Sequence, residues 1–527
     1  MLLAAPLGCA LPTADEACFV DADCGAAGFC IEGQCSMEAA SGDDEAVVEK
    51  LDVGGGIGDA TTCAAAGFVA TNAGCEFWAV DLPNAYEPYD PYVLDIAAEQ
   101  TFAVVVANVS EVDNAHVSVF EGNESSSIAT ATVGPLGAYV FELPNTLSVN
   151  PRSNDGGRAF RVQSDVPVTA YQFQPLDNLR PVYSNDATSL LPAHVLQDDY
   201  IAVTSHGTET TSYPNGWQEE ASNTGAFVTV VATEDNTHVE FFPTDVLVSG
   251  GYQGVVLNRG DQFTIISDVQ SDLTEGGSLS GTRILADGPI AAFSGNVTAG
   301  EPAGFTECCL DHVEHQLLPT VTWGATYITA PPPEPSNVNG DDPVVVRLTG
   351  AHPDTRLRYP AGKPSGAPDT LSPHQTVEFT TSEPLIVEAE DSATPFGVTQ
   401  FLLNSGEANP GGTQGDPAMI VIPAVEQLME RYVFLAPIGY ATSVVTVVAP
   451  HDAEVTLDGE AVRGSRSIGE VSGTNWGYRR ARVDPGAHVI TSDVAMGITV
   501  VGYDDAVSYA YTGGSAVRVI NDAPAAP

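Results

Sequence analysis

The chain is nearly devoid of lysine: Lys50 and Lys363 are the only two, and the other sixteen of its 18 basic residues are arginine. Against them stand 69 Asp and Glu, for a formal net charge of -51. Such a polyanion repels phosphate backbones, which excludes nucleic-acid binding through a general basic surface. It equally excludes adhesion to anionic lipid by a polybasic patch. Long apolar runs are missing too. No segment reaches eighteen apolar residues, so no transmembrane helix is expected. Also missing are a G-x-S-x-G elbow, a phosphate loop, a Gly-rich dinucleotide turn and the HExxH order of a zinc protease. Gly54-Gly55-Gly56 falls in a linker, and Asp21 and Asp23 lack the rest of a calcium loop. No cofactor is expected.

What is present is a globular composition, 43% hydrophobic, with 51 Gly and 37 Pro. That is rich in turns, shows no collagen period, and fits many short strands. Nine cysteines occur. Cys18, Cys24, Cys30 and Cys35 lie in CFVDADCGAAGFCIEGQC. A segment that small cannot bury a core and needs cross-links, so two disulfides are expected in an oxidising compartment. The opening MLLAAPLGCA ends in Gly8-Cys9. A small residue before a Cys is the pattern of a lipoprotein signal, which makes Cys9 a candidate lipidation site and a lipid anchor a candidate attachment. Cys63, Cys75, Cys308 and Cys309 are further disulfide candidates, with connectivity open.

Beyond the acidic, Gly-rich stretch 37–61 the chain repeats three features in one order. The first is an apolar-Pro pair followed by a strand carrying Tyr: Pro83 with Tyr92, Pro192 with Tyr200, Pro319 with Tyr327, and Pro423 with Tyr432. The second is a Val-rich hairpin of period two, such as FVTVVATEDNTHVEFF. The third is a strand, an acidic kink and a strand, assigned to Asp165, Asp287, Glu383 and Asp493. An acid repeated four times reads as a turn cap, since an active site is seldom present four times in one fold.

The expected fold is therefore all-β: four tandem antiparallel β-sandwich-like modules, preceded by a small disulfide-rich knot. A β-propeller is the alternative. The boundaries are a signal- or lipoprotein-like segment 1–9, the knot 10–36, the linker 37–61, modules 62–181, 182–309, 310–415 and 416–520, and a tail 521–527.

The segment with the most chemistry is ECCLDHVEH, residues 307–315. Asp311, His312, Glu314 and His315, with Glu307, carry metal-ligand chemistry. The competing expectation, preferred here, is a structural loop held by Cys308 and Cys309 at the joint of the second and third modules. Tyr213, Trp217, Trp476 and Tyr478 are candidate ligand-binding aromatics, because exposed rings stack on sugar faces.

The phrases PVYSNDATSLLPAHVLQDDYIAV, GTRILADGPIAAFSGN and CCLDHVEHQLLPTVTWGATYITAP resemble the IgGFc-binding protein amino-terminal domain family, in its bacterial, myxobacterial-type members. The resemblance spans roughly residues 75–515. It implies an extracellular or cell-surface binding or adhesion protein, non-catalytic, with a protein or glycan ligand that it does not name. It implies a secreted or outer-membrane-anchored location. A secreted hydrolase with its site near residues 307–315 is the alternative of a different class, and a passive envelope structural protein is the third.

Overall fold

The computed structural model describes residues 61–85, 97–144, 158–176, 184–206, 210–212, 218–220, 225–248, 254–268, 277–305, 310–408, 414–522 and 524, and the strands Phe29–Ile31 and Gln34–Ser36. It divides into two compact units, Met1–Val53 and Gly54–Pro527. In the smaller, the two short strands pair antiparallel with Cys30 opposite Cys35. Cys9, Cys18 and Cys24 lie outside the described residues.

Among the described residues the larger unit is all-β apart from single turns of helix. Its strands form four two-sheet sets, and the second shows the plan. The hairpin Ala226–Ala232 and Thr237–Phe242 turns at Asn236, whose φ of 62° suits a side chain that tolerates the left-handed region. The two hairpin strands then enter different sheets. Both pair with one 17-residue strand, Arg283–Ala299. Its first half pairs with Thr237–Phe242 and its second half with Ala226–Ala232. The long strand thus crosses from one sheet to the other at its acidic kink. Phe160–Gln174 does the same in the first set and Gly486–Asp504 in the fourth. One strand shared by two facing sheets makes a sandwich, not a pair of propeller blades. In the third set the strand is broken into Leu385–Ala389 and Phe396–Leu402.

The recurring tyrosine explains the Pro-to-Tyr spacing. After each of Pro192, Pro319 and Pro423 comes a single 3-10 turn and then a strand with the tyrosine. Tyr200 donates to Ile290 O at 2.7 Å, Tyr327 to Phe396 O at 2.5 Å and Tyr432 to Met496 O at 2.6 Å. Each hydroxyl also accepts the N–H three residues before it, from Gln197, Gly324 and Met429. The ring pins the opening strand across the kink. In the first set this register position is Phe77, opposite Val162 as Tyr200 is opposite Ile284. The first copy of the motif therefore does not follow Pro83; Tyr92 lies outside the described residues.

The kink acids behave alike in three sets. Asp165 accepts the N–H of His116 at 2.7 Å, Asp287 that of His238 at 2.7 Å, and Asp493 that of Glu454 at 2.8 Å. They clasp the neighbouring hairpin strand rather than capping their own turn. Glu383 does not belong with them. It sits in the turn after Thr376–Thr381, where its N–H bonds Thr381 Oγ1. The third kink is residues 390–395, and it is longer. Nine positions separate Val387, opposite the tyrosine, from the carbonyl it bonds, against six from Ile284 to Ile290. Cys63 and Cys75 form a disulfide that ties the short helix Cys63–Ala66 to the strand Gly74–Ala79.

Each sandwich is closed by the strand that follows it. Asp186–Leu190 pairs back onto Phe160–Gln174, Asp311–Gln316 onto Arg283–Ala299, Met419–Ile422 onto Phe396–Leu402, and Val507–Thr512 onto Gly486–Asp504. These closing strands pack on one another in cyclic order, first on second, second on third, third on fourth and fourth on first. The apolar cores follow the same ring. Val105, Tyr171 and Phe173 of the first set share a core with Phe434, Tyr509 and Tyr511 of the fourth. Val203, Val313, Phe401 and Met419 form a separate core between the second and third.

Candidate functional site

The segment singled out for its chemistry lies at the centre of this ring. Residues 311–316 are not a loop but the second closing strand, and all six are buried. Glu307, Cys308 and Cys309 lie outside the described residues. His312 and Glu314 are 0% exposed and His315 is 3%. On a strand His312 and His315 face opposite ways, and each finds a different surrounding. His312 stacks on Phe227, centroids 5.9 Å apart, and its Nε2 is 3.3 Å from Glu314 Oε2. His315 Nδ1 donates to Gln316 O at 2.7 Å. Burial drives both imidazoles down, His312 to about 3 and His315 to about 4, so they are neutral at physiological pH. Among the described residues, no three His, Cys, Asp or Glu side chains converge as metal ligands would.

The hub of the centre is Asp186, which the sequence reading did not single out. Its Oδ2 accepts the N–H of Glu314 at 3.1 Å and of Met419 at 3.0 Å. Its Oδ1 accepts that of Ala510 at 3.1 Å and of its own neighbour Ala187 at 2.8 Å. One carboxylate in the first closing strand thus binds a backbone amide from each of the other three. Those strands meet edge to edge without a common ladder, and buried N–H groups need acceptors. A second carboxylate repeats the device: Asp311 accepts Asn185 N at 2.7 Å and Ser508 N at 3.3 Å. Glu314 accepts the Gln172 amide at 3.1 Å.

Burial pushes all three carboxyls well above the ordinary range. Asp416 adds to the effect on Asp311, and Asp186 to that on Glu314. The amide bonds oppose it. Beside these strands a small recess, with room for no more than about one water molecule, is lined in part by Asn72, His315, Gln316 and Val421. His315 Nε2, Gln316 Nε2 and Asn72 Oδ1 have no hydrogen-bond partner.

The family match takes in three of the four closing strands that build this centre, and ends before Val507–Thr512. Residues 186–502 match the family model described as IgGFc binding protein, a span that begins at Asp186 itself. The chain belongs to the IgGFc-binding family. The human IgGFc-binding protein is 28% identical over 332 residues, which are 62% of this chain and 6% of the human one. This IgGFc-binding family member therefore corresponds to a small part of that relative's length. Among solved structures, an anti-sigma factor domain-containing protein from Clostridium clariflavum is 7% identical, covering 76% of this chain and 94% of its own, at a TM-score of 0.10. The E. coli alpha-2-macroglobulin is 10% identical over 78% of this chain and 28% of its own, at 0.09. Scores so low carry no structural likeness.

Of the four candidate ligand-binding aromatics, Tyr213 and Trp217 lie outside the described residues. Trp476 and Tyr478 are not free to stack on a sugar: they are 7% and 1% exposed. Tyr478 donates its hydroxyl to Asp341 at 2.9 Å and lies under the guanidinium groups of Arg466 and Arg480. Arg466 and Arg480 pair with the same Asp341. Arg480 also donates to Pro331 O at 2.6 Å and Gly340 O at 2.5 Å. Together they clamp the hairpin Pro333–Glu334 and Asn337–Asp341 of the third set onto the fourth. A Tyr and Arg pair on one strand of an acidic chain was the available signal, since stacked guanidinium groups seldom leave a ring face free.

Proposed function

We propose that this protein is a non-catalytic, extracytoplasmic binding protein that captures a protein ligand through the segments in which its four sandwiches differ. One observation carries the reading. The side chains with catalytic or ligand-field chemistry, His312, Glu314, His315 and Asp311, are all buried, and Asp311 and Glu314 are engaged in bonds to the first and fourth sandwiches. Function then falls to what varies around the common frame. The chain between the opening strand and the first strand of the Val-rich hairpin differs in every set: residues 80–101, 202–225, 330–343 and 437–441. Variable insertions on a rigid ring of strands are where binding residues accumulate. Tyr213 and Trp217 fall in sequence within the second of these, and Tyr and Trp are favoured at contact surfaces. The cysteine-rich segment before the body and the Gly8-Cys9 pair support export and a lipid anchor. No helix among the described residues is long and apolar enough to cross a membrane.

The test is capture of ligands by the full chain from arrays of extracellular proteins and glycans, with an IgG Fc fragment among the probes. A protein ligand whose capture drops tenfold or more in Tyr213→Ala or Trp217→Ala supports the proposal. Turnover of a glycan or peptide substrate, abolished by Glu314→Gln, overturns it.

A further inference from the structure

The joint between the second and third sandwiches carries a cluster that its counterparts lack. Arg347 lies on the strand Val344–Gly350, opposite Glu378 in the ladder. The matching ladder pair is Thr229 with Thr264 in the second set and Thr446 with Arg480 in the fourth. Arg347 is 2% exposed. Its guanidinium stacks on Phe401 with 4.3 Å to the centroid, and Nη1 donates to Thr204 O of the second set at 3.0 Å. Nε donates to Glu378 Oε2 at 2.9 Å, and Nη2 lies 2.8 Å from Glu301 Oε1 and donates to Glu301 Oε2 at 3.0 Å. Glu301 comes from the second set, just after its long strand, and is 0% exposed. Its backbone is stitched to the third set as well: Glu301 N donates to Asn404 Oδ1 at 2.6 Å and Asn404 N to Glu301 O at 2.9 Å.

The charges do not balance. One guanidinium faces two carboxylates in a place closed to solvent on the Glu301 side. The remaining ionisable neighbours are His206, whose Nε2 is 3.8 Å from Glu378, and Asp245, which adds negative field. Burial and Arg347 hold His206 below its ordinary range, so it supplies no compensating charge at neutral pH. With both carboxylates ionised the cluster carries a buried surplus negative charge, which is costly. With one proton on Glu301 it is neutral and every Arg347 bond remains.

We propose that this cluster is a proton-controlled latch: the second and third sandwiches are held closed while Glu301 carries a proton, and the joint loosens when Glu301 ionises. The field acts in that direction. Burial raises Glu301 to about 7, while Arg347, outweighing burial, keeps Glu378 below its ordinary value. A group raised on folding stabilises below its unfolded pKa, and that contribution is lost as pH rises through about 7. A surface protein with such a joint alters the setting of two of its sandwiches between mildly acidic and mildly alkaline media.

The experiment is hydrogen exchange on the full chain at pH 6 and pH 8, with rates normalised to their intrinsic values. Protection of residues 344–350 and 301–305 is expected to fall about tenfold between the two. Glu301→Gln keeps the hydrogen-bonding shape without the charge, so its protection is expected to be high at both pH values. Glu378→Gln, which removes the other carboxylate, is expected to lose the pH dependence too. Wild-type protection that does not change, or a Glu301→Gln variant that keeps the full pH dependence, overturns the latch.

Discussion

Replacing Asp186 by Ala removes one carboxylate and strands three amides that belong to other sandwiches. The N–H groups of Glu314, Met419 and Ala510 are left in a place where Asp186 is 0% exposed. Each buried donor without an acceptor costs about 1–3 kcal/mol, so the variant is expected to lose about 3–9 kcal/mol. The lower end is already a large fraction of the ~5–15 kcal/mol typical of a folded protein. Asp186→Asn separates charge and acceptor count from packing. All the contacts of Asp186 are N–H donors, two on each oxygen, so a carboxamide turns its NH2 towards two hydrogens that already point at it. About 2–6 kcal/mol is expected at pH 8. The assay is urea unfolding followed by tryptophan fluorescence, with midpoint and slope compared across wild type, D186A and D186N. If D186A unfolds within about 1 kcal/mol of wild type, well inside the cost of a single stranded amide, the hub reasoning is wrong.

Tyr200→Phe, Tyr327→Phe and Tyr432→Phe each remove a hydroxyl that serves a carbonyl and an N–H, and each is expected to cost about 1–3 kcal/mol by the same denaturation assay. His315 is lowered to about 4, so its share of stability is complete above its unfolded pKa and is lost as pH falls. That share is about 3 kcal/mol by pH 4, and His315→Gln should therefore lose stability less steeply between pH 6.5 and pH 4 than wild type. Reducing the Cys63–Cys75 bond reopens a short loop and is expected to destabilise its attachment by about 3 kcal/mol. Exchange of the amides in Gly74–Ala79 with and without reductant measures it.

Sandwiches in four copies were legible because half-buried strands alternate in all of them and the Pro and Tyr spacing recurs in three. The tyrosine was legible as a repeat but not as a bond, since its carbonyl lies some 64 to 90 positions away. Glu383 was misplaced because Val-rich strands resemble one another, and only the pairing of Val387 with Tyr327 reveals the true kink. Residues 311–316 read as a loop because Asp, His and Glu are rare in buried strands. The structure tolerates them there because residues of the first and fourth sandwiches supply bonds to Asp311, Glu314 and Gln316. Asp186 had a signal that was not used: SNDATSLLP places an acid at the head of a closing strand, in the same phrase as the recurring apolar-Pro pair. Which sandwich a closing strand completes was not readable, since it pairs with the strand before it and packs on neighbours far along the chain.

Differential scanning calorimetry of the full chain, wild type beside D186A, tests most directly whether the buried centre makes four sandwiches one body. The account predicts that residues 54–527 unfold in wild type as one cooperative transition that splits or broadens in D186A. Separate transitions already present in the wild type, unchanged by D186A, would show that the sandwiches fold independently and that the central carboxylates are free for another role.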